Sequence, residues 1–403
     1  MNSQGIAGHK GRQARSDCWV SIEPTDSGGI KLDIKSKVDF LYKDSIHALV
    51  RKGLDRLGVS NAKVCVEDQG ALPFVIMARL ETAARRALPN NKLPEYLPET
   101  KPHKSTTRDR WRRSRLYLPG NEPKYMLNAK IHKPDGIILD LEDSVPPEEK
   151  DAALTLVRNA LIALDFGSCE RMVRINQIPA GLEEIGPIVK AGTQVILIPK
   201  CETAGQVKKA AVRIKEIQND SENDNNVFLM PIIESPLGMF HALEIAQASS
   251  LVVALTYGLE DYTAELGARK TGSATECLWA RSQIVNAARA AGVQPIDTVF
   301  ADAGDTEGLK QNAIQAREMG FEGKGCIHPR QIPIVNLAFT PTSQEIEHAQ
   351  KIVLAYEKAL KQGRSVVSIG SKMIDLPVVH QAQRIINLAM AGKLSRNLEE
   401  RTE

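Results

Sequence analysis

The sequence predicts an α/β protein: a (β/α)8 TIM barrel with a C-terminal helical extension, preceded by a small α+β module. Three observations predict it. From Arg115 onward, short apolar runs alternate with helix-compatible stretches eight times over about 230 residues, the rhythm of a barrel of that type. No glycine-rich GxGxxG turn follows the first of these runs, which disfavours a doubly wound open sheet. The composition changes near Pro89, and the segment before that point has a strand and helix pattern of its own.

The elements follow in order. "DCWVSIEP" and "GIKLDIKS" both alternate, and the turn signal "DSGG" between them predicts a hairpin. "KDSIHALVRKGLDRLG" has helical periodicity, with Asp44 or Ser45 as its N-cap and Gly58 as its stop. "AKVCVED" reads as a third strand and "LPFVIMARLETAARRAL" as a second helix. The next stretch, "PNNKLPEYLPETKPHKSTTRDRWRRS", is rich in proline and charge and reads as a semi-extended, solvated tether. The eight barrel strands are then "RLYLPG", "GIILDLED", "RMVRINQ", "QVILIPK", "NVFLMPIIE", "LVVALTYG", "DTVFAD" and "KGCIHP". "TSQEIEHAQKIVLAYEKALKQG" and "GSKMIDLPVVHQAQRIINLAMAG" supply helices after the barrel. The predicted divisions are 1–88 for the small module, 89–110 for the linker, 111–340 for the barrel and 341–403 for the extension.

Bulk properties narrow the function. A formal charge of +3 on 403 residues, with 42% hydrophobic and 25% charged residues, describes a globular protein with no call for nucleic acid or membrane. The basic end of the linker lacks interleaved aromatics, so a DNA- or RNA-binding role is set aside. No run of about 18 apolar residues occurs, and the N-terminus has no apolar signal core. The six cysteines are scattered, with no CxxC, as expected of reduced thiols in a cytoplasmic protein.

Polar residues collect where barrel chemistry sits, at the C-terminal ends of the strands. "GIILDLEDSV" runs from an apolar strand straight into Asp140, Glu142 and Asp143. Arg174 and Asn176 close the third strand, Lys200 the fourth and Glu234 the fifth. Glu260 and Asp261 follow the sixth, and His328 ends the eighth. Burying unpaired carboxylates is costly, so a cluster of them implies cationic partners or a metal. Carboxylate oxygens without a Cys/His cluster favour a hard cation, Mg2+ above Zn2+, with positions left for a chelating 2-oxo acid. Glu234 and Asp261, on adjacent strands, suit direct coordination. Asp140, Glu142 and Asp143 read as groups that position the substrate, balanced by Arg174 and Lys200. Taken singly, Lys200 or His328 would more often be a structural hydrogen-bonder.

In order and spacing, "RSRLYLPGNEP", "GIILDLEDSV", "VRIN", "ILIPKCET", "IIESPLG", "YGLEDYTAELG", "CIHPRQIPIVNLAF" and "GSKMIDLPVVHQA" resemble the citrate lyase β-subunit family. That group sits with the malyl-CoA and citramalyl-CoA lyases among the HpcH/HpaI aldolases. The resemblance implies a Mg2+-dependent TIM barrel that cleaves or forms a C–C bond between a 2-oxo acid and a thioester enolate. It implies Glu234 and Asp261 as metal ligands, and Arg174 as the stabiliser of the enolate oxygen. Asp375, in "KMIDLP", corresponds to an acid that reaches a neighbouring subunit's site in relatives, so a homo-oligomer (trimer or hexamer) is expected. Glu260, Lys200 and the acids after the second strand fall in the substrate-binding group.

"RSDCWVSIEP", "SGGIKLDIKSKV" and "VEDQGALPFVIMARLETAARRA" resemble the citrate lyase γ-subunit, an acyl carrier protein. This implies a covalent phosphoribosyl-dephospho-CoA on a serine before the first strand, for which Ser16 is the first candidate. Ser45 in "KDSI" mimics other carriers, but the γ-type pattern does not need it. The resemblance also implies an α-type acyl-transferase partner. Two rival readings stay open: a lyase acting on free CoA esters of malyl, citramalyl or citryl type, and a non-catalytic scaffold for the carrier domain.

Overall fold

Eight strands of the computed structural model close into a parallel barrel in the order β5 to β12, with β12 pairing back to β5. The structure describes residues 4–11, 14–99, 105–221, 225–271, 274–362, 367–369 and 372–400. The barrel strands are β5 (Ser114–Pro119), β6 (Gly136–Asp140), β7 (Glu170–Arg174), β8 (Val195–Ile198), β9 (Phe228–Ile233), β10 (Ala254–Tyr257), β11 (Gln294–Asp297) and β12 (Gly323–Cys326). Buried on both faces, they are nearly continuous apolar runs, as parallel strands between a filled interior and a ring of helices require. Ile138, Met172, Leu197, Met230, Ile232 and Ile296 fill the interior.

Seven of the eight predicted strands coincide with observed ones. The seventh lies upstream of its predicted place, at Gln294–Asp297 rather than through "DTVFAD". Asp297 ends it because its buried carboxylate accepts from Arg281 and, at 2.8 Å, from Lys324. Thr298 and Val299 are then loop residues at the barrel mouth.

The small module is a four-stranded sheet of β1 (Gly5–Ala7), β2 (Cys18–Pro24), β3 (Ile30–Ser36) and β4 (Ala62–Asp68), in the order β1-β2-β4-β3. Its helices are α1 (Asp39–Arg56) and α2 (Pro73–Ala87). The predicted hairpin does not form, because β4 lies between β2 and β3, antiparallel to one and parallel to the other. β4 buries Ala62, Val64 and Val66 completely and takes the centre, while Lys31, Asp33 and Lys35 mark β3 as a charged edge. Asp44 and Ser45 do not cap α1. The helix begins at Asp39 without a side-chain cap, and the Ser45 hydroxyl donates back to the Tyr42 carbonyl at 2.8 Å. Gly58 does end it, at φ 70°.

The described parts of the predicted tether are packed. Leu93 and Tyr96 enter the core of the module, and the Tyr96 amide donates to Glu81 at 2.7 Å. Thr106 and Arg112 close on Glu170 at the base of β7, with Arg112 fully buried. The reason is in the side chains: a proline-rich segment with well-spaced aromatics and arginines can bury them without forming a helix or strand.

Between and after the strands run α3 (Pro123–Met126), α4 (Lys150–Ala163), α5 (Leu182–Lys190), α6 (Ala204–Ser221), α7 (Pro236–Phe240), α8 (Ala242–Ala246), α9 (Leu259–Leu266), α10 (Leu278–Ala291), α11 (Thr306–Glu318) and α12 (Gln331–Phe339). The extension consists of α13 (Ser343–Lys361), opened by a capping box of Thr342 and Glu345, a ribbon of β13 (Val367–Ile369) and β14 (Lys372–Ile374), and α14 (Leu376–Glu400). Among the described residues, no helix is long and apolar enough to cross a membrane. All six cysteines are free thiols.

Candidate active site

The acids that interrupt the apolar runs converge on one cavity of about 430 Å3 at the C-terminal mouth of the barrel. Asp140 at the end of β6, Asp143 from the loop after it, Arg174 from β7, Glu234 after β9, and Glu260 and Asp261 at the start of α9 all line it.

Arg174 organises the left half of this rim. Its Nε and Nη2 grip the two oxygens of Asp140 at 2.6 and 2.8 Å, and Nη1 faces Glu142 and Asp143 at 2.9 and 3.1 Å. Four of its contacts are thus committed, and Nη2 keeps a second N–H. The Glu142 amide and Ser144 also donate to Asp140. Burial alone would push the Asp140 carboxyl up, but Arg174 holds it below the usual carboxylate range. In turn, Asp140 keeps the guanidinium charged against its own burial. Burial and the neighbouring Asp143 raise Glu142.

Lys200 spans the mouth. It sits at φ 45°, a left-handed conformation that a lysine rarely takes, and its Nζ lies 3.1, 3.6 and 3.7 Å from Glu142, Asp143 and Asp261. Burial works against its charge, but those carboxylates keep the ammonium above its ordinary range.

The right half is an acid pair. The Lys200 amide donates to Glu234 at 2.7 Å, and Gly258 makes the space for it: a Cβ there would lie 2.3 Å from Glu234 Oε2. Burial pushes the Glu234 carboxyl up to about 7; the Lys200 amide opposes the rise and the charge of Asp261 adds to it. Glu234 and Asp261 follow paired neighbours, β9 and β10. Asp140, Glu142, Asp143 and Asp261 share Arg174 and Lys200 as cationic partners, and Glu234 adds a fifth carboxyl group, so carboxyl groups outnumber cations at the rim. Among the described residues no group of three or more His, Cys, Asp or Glu forms a cage for a metal. Two carboxylates beside open space nonetheless fit the donor set of Mg2+, which takes one or two protein carboxylates and fills the rest with water and substrate.

Several predicted residues lie elsewhere. Asn176 is turned to Glu184, its amide donating at 2.8 Å. His328 is exposed, and its Nδ1 accepts from the Arg330 amide. Glu260 reaches the cavity but is ion-paired with Lys270. Asp375 is exposed at the start of α14, where it accepts from the Val378 amide, and it does not line the cavity of its own chain. Ser16 is half-buried at φ 61° in the turn before β2.

Two features were missed in the sequence. Arg115 and Tyr117 point from β5 into the cavity floor, a position legible only as polar residues on the inner face of a strand. The second is the seam between module and barrel. Fully buried Arg79 of α2 grips both oxygens of Asp17 at 3.0 and 2.9 Å and donates to the Asn121 carbonyl in the loop after β5. His9 joins Asp17 to Glu149 in the loop after β6, at 3.0 and 3.2 Å.

With that geometry in view, the HpcH/HpaI aldolase/citrate lyase family description matches residues 113–329. A citrate lyase subunit beta of Leuconostoc mesenteroides subsp. cremoris is 40% identical over 71% of this chain and 96% of its own. The chain belongs to the HpcH/HpaI aldolase/citrate lyase family. It is a carbon–carbon lyase by that membership. A mitochondrial citramalyl-CoA lyase of Mus musculus is 30% identical over 76% of this chain and 95% of its own. The solved structure of CitE from Mycobacterium tuberculosis in complex with magnesium, acetoacetate and coenzyme A is also similar. Its TM-score is 0.58 and its identity 28%, over 70% of this chain and 99% of that one. The acyl carrier description "Malonate decarboxylase delta subunit (MdcD)" matches residues 7–87, so this lyase-family chain opens with a carrier-type module.

Proposed function

We propose that this chain is a Mg2+-dependent lyase that splits a citryl-type 3-hydroxy-acyl thioester, held on its own carrier module, into oxaloacetate and an acetyl thioester. The observation that carries the reading is that Glu234, just after β9, and Asp261, in the helix after the adjacent strand β10, line one mouth where carboxylates outnumber cations. Bound there, magnesium would acidify the substrate hydroxyl, whose proton leaves to solvent, and polarise the oxo group that the hydroxyl carbon becomes. Arg174, fixed by Asp140, would stabilise the charge that moves to the thioester oxygen as the C–C bond breaks. Asp140, Glu142, Asp143, Lys200 and Glu260 would orient the acid portion of the substrate. Asp375 would protonate the enolate carbon from a neighbouring copy, which makes a homo-oligomer, a trimer or hexamer, part of the proposal. We assign these roles to units at 1–88, 89–110, 111–340 and 341–403, in a cytoplasmic protein.

Ser16 would carry phosphoribosyl-dephospho-CoA, recharged by an α-type acyl-transferase. Support comes from its neighbour Asp17, tied through Arg79 to the first loop of the barrel mouth. The same seam favours a second reading. A clamped module does not behave as a free tether, which suits an enzyme acting on free CoA esters, and the similar mycobacterial structure contains coenzyme A. Intact-mass spectrometry of the purified chain, with peptide mapping at Ser16, separates the two. A prosthetic group on Ser16, and loss of turnover in Ser16→Ala, are expected; an unmodified chain that turns over citryl-CoA supports the second reading. Mixing Asp375→Asn with Glu234→Gln should restore part of the activity, and no restoration removes the acid acting between copies.

A further inference from the structure

Arg115 lies on the inner face of β5, one layer beneath the acid rim, and no part of it is exposed. Its Nη1 donates only to neutral acceptors, Met230 Sδ at 2.9 Å and Thr256 Oγ1 at 3.1 Å. Nε and Nη2 have no hydrogen-bond partner among the described residues. Burial with so little compensation pushes the guanidinium down to about 10. Even so it is charged at neutral pH, and a buried cation with two idle donors is among the most costly groups a barrel interior can hold.

The register partner of Arg115 on β6 is Gly136, where a Cβ would collide with Met172 Cε at 2.5 Å but only touch Arg115 Cγ, at 3.5 Å, so the glycine serves the packing of Met172 in the same layer. The guanidinium lines the same cavity as Glu234, Asp261 and Arg174, as its floor. A methionine of similar length would satisfy the packing without the charge. The arrangement is that of a fork waiting for an anion delivered from the mouth.

We infer that Arg115 is a specificity-determining residue that binds the distal carboxylate of a dicarboxylic 2-oxo acid. This rests on the reading that Glu234 and Asp261 anchor a 2-oxo acid at the rim. An oxo acid anchored there by its carboxylate and oxo oxygen directs the group on the far side of its oxo carbon into the pocket. A CH2–COO− group would satisfy Nε and Nη2, whereas a methyl group would leave them unpaired. Arg115 thus separates a citryl-type substrate, whose product is oxaloacetate, from a citramalyl-type one, whose product is pyruvate. A site that hydrogen-bonds a polar substituent rejects the analogue lacking it far more strongly than an apolar pocket discriminates by size.

The test is calorimetric titration of the full chain, in Mg2+, with freshly dissolved oxaloacetate and with pyruvate. Wild type should bind oxaloacetate about ten- to a hundredfold tighter, the range of a charge-assisted hydrogen bond. Arg115→Met should lose that preference, binding oxaloacetate correspondingly more weakly and pyruvate within about twofold of wild type. Arg115→Lys should keep part of it, which also guards against a misfolded methionine variant. Equal binding of the two acids by wild type, or an undiminished preference in Arg115→Met, overturns the assignment and leaves the rim reading standing. Binding of neither acid by wild type overturns both.

Discussion

Two charge networks of the molecule teach by their difference. At the seam, Asp17 and Glu149 are matched by Arg79 and His9, and Arg79 is wholly enclosed. At the rim of the mouth, five carboxyl groups surround Arg174 and Lys200 beside open space, with Arg115 on the floor below. A network whose charges are matched within the fold fixes geometry, even though Arg79 Nη1 keeps no acceptor among the described residues. An unmatched one beside a cavity is held out of balance by the fold, and what completes it is a ligand. The seam is therefore read as architecture and the mouth as chemistry.

Substitutions should fall on opposite sides of that line. The largest effect belongs to the mouth: Glu234→Gln and Asp261→Asn should each cut turnover by about a thousandfold or more while the melting temperature stays level. Retained turnover in both would remove the acids from the reaction. Next comes Arg79→Met, which strands Asp17 inside the seam and should cost about 3–5 kcal/mol in denaturant unfolding, since breaking a buried pair leaves an uncompensated charge. If this variant instead lost activity at unchanged stability, the seam would be part of the site. Asp140→Asn should be milder, about a tenfold fall in kcat/KM with thioester, because Arg174 keeps its charge but loses half of its clamp.

The smallest effect should be that of His9→Gln, about 1 kcal/mol or less given the half-exposed ring. Its pH dependence is the sharper readout. Asp17, then Glu149, raises the imidazole from 6.5 to about 10 in the folded chain. The stabilisation is therefore complete below pH 6.5 and disappears as the pH rises through about 10. Wild type and His9→Gln should differ in melting temperature at pH 6 and converge near pH 10. A difference that grows with pH would contradict the ion-pair assignment.

The barrel was legible because its signal is local: apolar runs of strand length, each ending in polar residues, recur at regular intervals. For the same reason the rim acids could be listed, since Asp140, Glu234 and Asp261 each stand at the end of such a run. Partners remote in sequence were not legible. Asp17 and Arg79 lie 62 positions apart, and neither stretch carries any mark of the other. Placing β4 between β2 and β3 is another non-local choice, settled by which strand buries more. Ser45 resembles a cap only for a helix that starts near it, whereas α1 starts at Asp39, and Asp375 stands at a helix start that sequence pattern alone would also explain. Arg115 escaped notice because an arginine two positions into an apolar strand reads as an edge residue, not as a floor.

The most direct test of the whole account is the binding of Mg2+ to the full chain, measured by calorimetry alongside the Glu234→Gln and Asp261→Asn variants. One ion per chain in the wild type, lost in both variants while their thermal melts are unchanged, is the predicted result. Equal Mg2+ binding by all three proteins would contradict it.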